Sequence, residues 1–130
     1  MLNKNAKQLS PSVLAFVGDA VYTLLVRTLL ADQSRPSDSL HNKAVSFVEA
    51  SAQARAFSSI REHLTSEELE IFNRGRNFHT GNTPKSSSVA DYHTATGLEA
   101  LFGYLHLEGR KERIEELFKI ILESEKQGVF

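Results

Sequence analysis

The chain reads as an all-α protein of about five main helices forming a single domain over residues 1–130. Three observations carry that reading. Apolar residues recur at helical spacing almost throughout. Start and stop signals stand at the ends of the periodic runs: Ser10-Pro11, Thr65-Ser66-Glu67-Glu68 and Gly109. The longest stretch without periodicity, Arg74 to Ser88 (RGRNFHTGNTPKSSS), is rich in glycine, proline and serine, which marks a loop.

Ser10-Pro11 pairs a capping hydroxyl with proline at the first helical position, so a helix starts there and runs to about Ala31. It is apolar nearly all round, which predicts a central, buried element. Gly18 inside it costs about 1 kcal/mol relative to alanine and implies a close approach by another helix or a ligand. Asp32 to Pro36 is a polar break. A second helix is expected from Asp38 to His63, with Leu40, Ala44, Phe47, Val48, Ala52, Ala54 and Phe57 at compatible spacing. Thr65 to Glu68 is a capping-box pattern that opens a short helix with an apolar face of Leu69, Ile71 and Phe72. After the loop, a fourth helix is expected from about Val89 to Leu107, with Gly109 as its stop. The last, from about Arg110 to Glu125, is amphipathic, with Ile114, Leu117, Phe118 and Ile121 facing inward.

A chain of 130 residues is long enough to bury a core. The net charge of −1 means that any nucleic-acid affinity must come from a local patch. There is no cysteine, which excludes disulfides, thiol catalysis and cysteine metal sites and fits a cytoplasmic protein. The N-terminus carries lysines but no apolar run ahead of a cleavage site, and Asp19 and Arg27 interrupt the following apolar segment. Neither secretion nor a membrane span is expected.

Two acids stand apart. Val13 to Val26 reads VLAFVGDAVYTLLV, with Asp19 its only charge; Tyr92 to Leu105 reads YHTATGLEALFGYL, with Glu99 its only acid. Burying an unpaired carboxylate costs several kcal/mol. Two such acids in helix-like segments, each beside a glycine, suggest one shared site at which a divalent cation offsets that cost. Hard oxygen ligands suit Mg2+ or Mn2+. The alternative is local satisfaction by a tyrosine, a lysine such as Lys43, or a helix N-terminus. The five histidines form no HExxH, ExxH or His-Asp pattern, so a zinc protease, a di-iron bundle and an HD-type phosphohydrolase have no support. No GxSxG motif supports serine catalysis.

Between Arg74 and Lys85 lie three cations and no acid, together with Asn77, Thr80, Asn82 and Thr83. Arginine forks and glycine amides suit phosphate. Phe78 is the only stacking aromatic among them, which favours a duplex backbone over a single strand. A solvated polar loop would carry the same residues.

FVGDAVY at residues 16–22 resembles the metal-binding signature helix of ribonuclease III catalytic domains, and GLEALFGYLHL at 97–107 resembles their second, glutamate-bearing motif. RGRN at Arg74 to Asn77 and TPK at Thr83 to Lys85 resemble the Mini-ribonuclease III subfamily, which has no double-stranded-RNA-binding domain. The resemblance covers essentially the whole chain. It implies a ribonuclease III-like endonuclease domain that works as a homodimer on double-stranded RNA. The implied reaction is Mg2+-dependent hydrolysis leaving 5′-phosphate and 3′-hydroxyl ends, with Mn2+ as a possible substitute. Asp19 and Glu99 take the catalytic and metal-ligand roles. The implied substrate is precursor 23S ribosomal RNA. Members of the wider family outside the Mini subfamily have a glutamate one turn before the aspartate and an aspartate three residues before the glutamate; this chain has Ala15 and Thr96, and the Mini subfamily resembles it in that respect. Without a separate RNA-binding domain, the catalytic unit must hold its own substrate, and Arg74, Arg76, Asn77 and Lys85 are the expected RNA contacts. Two other readings stand beside the nuclease: a non-catalytic helical module that binds structured RNA, and a helical interaction protein with structurally paired acids.

Overall fold

A computed structural model describes residues 5–31, 37–78 and 88–128, and within these it describes every side chain except those of 37–41 and 126–128. Six α-helices are formed in these segments, with no strand among the described residues. The first, α1, spans Pro11–Ala31. It begins where the sequence signals it: the Ser10 hydroxyl accepts from the Val13 amide at 3.3 Å.

The expected second helix is two. Helix α2 spans Ser37–Val48 and α3 spans Ala50–Ile60, and Glu49 between them is extended (φ −61°, ψ 151°). The break is stabilised by a side chain. The Gln53 amide donates to the Val48 carbonyl at 3.0 Å, satisfying an acceptor at the end of α2. A 3-10 turn, Arg61–His63, follows α3.

Helix α4, Ser66–Arg76, opens with the expected capping box: the Glu68 amide donates to Thr65 Oγ1, and the Thr65 amide donates to Glu68 Oε1. The same carboxylate has a second role that the local pattern did not reveal. Glu68 is buried and receives Arg113 Nε at 2.9 Å and a terminal guanidinium nitrogen at 2.8 Å, while that nitrogen also donates to the His63 carbonyl at 2.7 Å. Burial pushes the Glu68 carboxyl up, but the hydrogen bonds from Arg113 and Thr65 outweigh it and hold the group below the ordinary glutamate range. A lowered folded-state pKa stabilises the fold above the unfolded value and is lost as pH falls through the folded one. Glu68→Gln should therefore cost about 2 kcal/mol at neutral pH, because it removes charge-assisted hydrogen bonds. That difference should shrink on acidification below about pH 4.3. Thermal melts of both forms across acidic pH check this, and a constant difference would contradict it.

Helix α5, Val89–Leu107, matches its expected span, with Ser88 capping through the Asp91 amide. Gly109 ends the run at φ +74°, a conformation that suits glycine, and the Arg110 amide reaches back to the Leu105 carbonyl. Helix α6 spans Lys111–Gly128.

The centre of the fold is α5, not α1. Leu98 and the run Ala100 to Leu105 are buried, and α1, α3, α4 and α6 all pack on α5. Helix α1 buries one stripe, Leu14, Ala15, Gly18, Tyr22, Val26 and Leu30, which corrects the expectation of a helix buried all round. Its other face exposes Val13, Leu24 and above all Phe16, which is 80% accessible. By length and composition α1 could cross a membrane, but its inner stripe is committed to the core. Tyr22 meets Phe102 edge-on at 5.3 Å, and Phe57 stacks on Phe72 at 3.6 Å.

Helices α1 and α5 cross with their backbones in contact. A Cβ on Gly18 would lie 1.6 Å from the Glu99 carbonyl oxygen, and one on Gly103 would lie 2.0 Å from the Leu14 carbonyl oxygen. Gly18 is therefore the site of close helix approach that its position in the sequence implied.

Candidate active site

The glycine-mediated crossing brings the two isolated acids together. Asp19 follows Gly18 on α1, and Glu99 is the residue whose backbone Gly18 touches. The two side chains are near enough for Asp19 to act on the Glu99 carboxyl. Their burial differs from expectation. Glu99 is half-buried, but Asp19 is exposed, because it sits at the edge of the inner stripe of α1. The cost of desolvation therefore falls on Glu99. Burial first, and then the negative charge of Asp19, push the Glu99 carboxyl up to about 8, while a hydrogen bond from Gln53 works in the opposite direction. That bond runs from Gln53 Nε2 to Glu99 Oε2 at 3.3 Å. Lys43, one of the cations that might have satisfied an acid locally, instead lies over the Phe47 ring at 5.8 Å.

Glu99 and Gln53 line a cavity of about 430 Å³ together with Glu49, Ser51, Asp91 and Thr96. Beside it lies a second cavity of about 520 Å³, which shares Asp91 and is lined by Arg61, Asn73, Arg76 and Thr94. An acidic hollow thus adjoins one with two guanidinium groups on its wall.

The expected RNA-contacting residues separate into different environments. Arg74 and Arg76 lie in the last turn of α4, not in a loop, because Gly75 packs closely against Ala100 and Gly97 of α5 and the helix continues past it. The Arg74 guanidinium is held internally, donating to the Lys7 carbonyl at 3.0 Å and the Leu9 carbonyl at 2.9 Å. Arg76 is exposed, and Asn77 is exposed at the C-cap of α4. Lys85 lies outside the described residues.

The pattern described as the ribonuclease III domain matches residues 12–110. A Mini-ribonuclease 3 from Thermoanaerobacter is 46% identical over 113 residues, covering 86% of this chain and 80% of that protein. One from Symbiobacterium thermophilum is 38% identical over 126 residues, covering 95% and 96%. The chain belongs to the Mini-ribonuclease III family. A crystal structure of a Fusobacterium nucleatum protein, 29% identical, superposes with a TM-score of 0.85 over 95% of this chain and 99% of that one. The two proteins thus share one fold along nearly their whole lengths, and the Mini-ribonuclease III family is one of ribonuclease III-type endoribonucleases.

The residues present fit a divalent cation, but sparsely. The charge of Asp19 opposes ionisation of Glu99, a conflict that a cation between them would relieve. The positions where the wider family adds acids contribute nothing: Ala15 is buried against the core, and the Thr96 hydroxyl donates to the Tyr92 carbonyl of its own helix at 3.0 Å. Among the described residues, no group of three or more histidines or acids is arranged to hold a metal. Asp19 and Glu99 would hold the ion, with water and substrate oxygens completing its shell, as suits Mg2+.

Four residues at or beside the site escaped the sequence reading. Gln53 carried a weak signal, as a polar residue in an alanine-rich helical run. Glu49, Asp91 and Arg61 carried none, since each is an ordinary surface-type residue brought to the hollow by the packing of α3, α4 and α5.

Proposed function

We propose that this chain is a Mg2+-dependent endoribonuclease that acts as a cytoplasmic homodimer on double-stranded RNA, with precursor 23S ribosomal RNA as its substrate. The observation that carries the reading is the meeting of Asp19 and Glu99 at the α1–α5 crossing, next to an arginine-lined hollow. Carboxylates alone repel a phosphodiester; carboxylates holding a cation, with guanidinium groups alongside, attract one. Family membership supports the endoribonuclease chemistry. The ribosomal substrate rests on the resemblance of the RGRN and TPK segments, and the cytoplasmic setting on the lack of cysteine.

When bound, the cation supplies positive charge for a phosphoryl oxygen and a lowered pKa for attacking water. Asp19 and Glu99 would hold it, Glu99 in its ionised form. Water attacks phosphorus and loses a proton to solvent, the P–O3′ bond breaks, and the departing 3′-oxygen takes up a proton from solvent, leaving 5′-phosphate and 3′-hydroxyl ends. Arg76, Asn77 and Lys85 contact the backbone, joined by Arg61. Arg74, held by two main-chain carbonyls, adds its charge to the field rather than a full fork of donors.

Incubation of the purified chain with a long RNA duplex, in Mg2+ or in EDTA, tests the reading. Cleavage confined to Mg2+ is expected. Binding without cleavage would favour a non-catalytic RNA-binding module, and neither binding nor cleavage would favour an interaction protein. Arg76→Gln should weaken duplex binding for all sequences and reduce the salt slope by about 0.7–0.9, the loss of one phosphate contact. An unaltered slope would remove Arg76 from the interface.

The exposed apolar side chains of Val13, Phe16 and Leu24, all on α1, support the homodimer, since large apolar groups left open on one helix suit an interface. Pairing through α1 would bring two active sites, each adjoining this helix, to one duplex. Phe16→Asp should convert the dimer to a monomer in sedimentation velocity. A wild-type chain that sediments as a monomer at micromolar concentration would refute the assembly.

A further inference from the structure

Gln53 is one of two buried polar or charged side chains among the described residues, the other being Glu68, whose carboxylate is fully engaged. Gln53 is not. Its Nε2 donates to the Val48 carbonyl at 3.0 Å and to Glu99 Oε2 at 3.3 Å, but its Oε1 is the one buried side-chain nitrogen or oxygen among the described residues without a hydrogen-bond partner. The Val48 carbonyl can only accept, so turning the amide to satisfy its oxygen would set oxygen against oxygen at 3.0 Å. An unsatisfied buried acceptor costs about 1–3 kcal/mol. A side chain serving packing alone would be more stable as a hydrocarbon of similar shape. The arrangement costs stability and leaves one consequence: the carboxylate of Glu99 is tied, through a neutral donor, to the α2–α3 break.

We propose that Gln53 is the positioning residue of Glu99, fixing the orientation in which this carboxylate receives a divalent cation. The choice of residue type follows from the chemistry. A lysine or arginine at this position would neutralise Glu99 and compete with the cation. An amide holds one carboxylate oxygen by hydrogen bonding and leaves the negative charge available to the metal. Because the second tie of the amide is to a main-chain carbonyl where α2 ends, the orientation of Glu99 is set by the helix break itself and not by another mobile side chain. The inference rests on the proposed role of Glu99 as a metal ligand.

The test uses the full chain with Gln53→Met, which keeps length and bulk but lacks the donor, and Gln53→Leu as a second variant. Mn2+ affinity is measured by calorimetry without RNA, single-turnover and steady-state cleavage are measured with duplex RNA, and melting is followed in EDTA. The expected result is a melting temperature equal to or above wild type, because the orphaned oxygen is gone. Mn2+ affinity and kcat should fall about 10–100-fold with KM little changed, as for loss of a group that orients a metal ligand. Mn2+ affinity and kcat within about twofold of wild type in a folded variant would overturn the proposal. Failure of both variants to fold would overturn it too, by making Gln53 structural. Glu99→Gln run in parallel separates the levels. If it retains Mn2+ binding and cleavage, the metal-ligand reading falls and the proposal with it. If it loses both while Gln53→Met keeps them, the proposal alone falls.

Discussion

Glu99→Gln and Asp19→Asn should each lower Mg2+-dependent cleavage of duplex RNA by at least about a hundredfold while leaving the helical fold intact. Each removes one of the two acids proposed to hold the cation, whose transition-state contribution is several kcal/mol, and about 1.4 kcal/mol corresponds to each tenfold in rate. With Ala15 and Thr96 where the wider family carries acids, neither helix offers a carboxylate within one turn of Asp19 or Glu99 to substitute. Retained cleavage in both variants would remove these residues from the site. A stability measurement gives an independent check. The Glu99 pKa is raised by burial and by Asp19 to about 8. A raised folded-state pKa stabilises the fold below the unfolded value, near 4.5, and that contribution is lost as pH rises towards 8. In EDTA the wild-type melting temperature should fall across this window, and Glu99→Gln should flatten the dependence. Mg2+ should restore stability most at the alkaline end, where it does not compete with the Glu99 proton. A flat wild-type profile would mean that Glu99 is not held protonated by its surroundings.

Gly18→Ala should be the most damaging single-methyl change in the chain, with a loss of at least about 3 kcal/mol, at the upper end of the usual cost of overpacking. The added Cβ would stand 1.6 Å from the Glu99 carbonyl oxygen and 2.9 Å from the Gly103 nitrogen. Both are main-chain atoms of the central helix and cannot rotate away, so α1 and α5 must separate. That separation also moves Asp19 away from Glu99, and any folded fraction should bind Mn2+ poorly. Urea unfolding compared with Ala20→Ser, a change at an exposed position of the same helix, provides the control. A wild-type-like unfolding midpoint for Gly18→Ala would show that the two backbones do not meet at this point.

The two variants are linked, because the same crossing builds the core and the site. Its ingredients were visible one at a time in the sequence: an acid in each apolar run, and a glycine near each acid. Local signals were equally plain for the capping box at Thr65, the stop at Gly109 and the span of α5, since each depends on residues within a turn or two of one another. The break at Glu49 was not plain, because the Gln53 side chain that stabilises it acts across five residues and also answers to Glu99 on another helix. That the carbonyls of Lys7 and Leu9 occupy two donors of the Arg74 guanidinium was not legible either, because those residues lie more than sixty positions away.

Residue order alone was enough to establish the helical class, the family resemblance and Asp19 and Glu99 as the residues of interest, because periodicity, capping and motif spacing are short-range properties of the chain. Which helix lies at the centre, which face of α1 is left open, that Asp19 is exposed while Glu99 carries the burial, and that Gln53 ties Glu99 to the α2–α3 break all depended on packing. These are relations between faces of different helices. They come into being only when Gly18 and Gly103 let α1 and α5 touch, and no pattern along one helix encodes which neighbour that helix will meet.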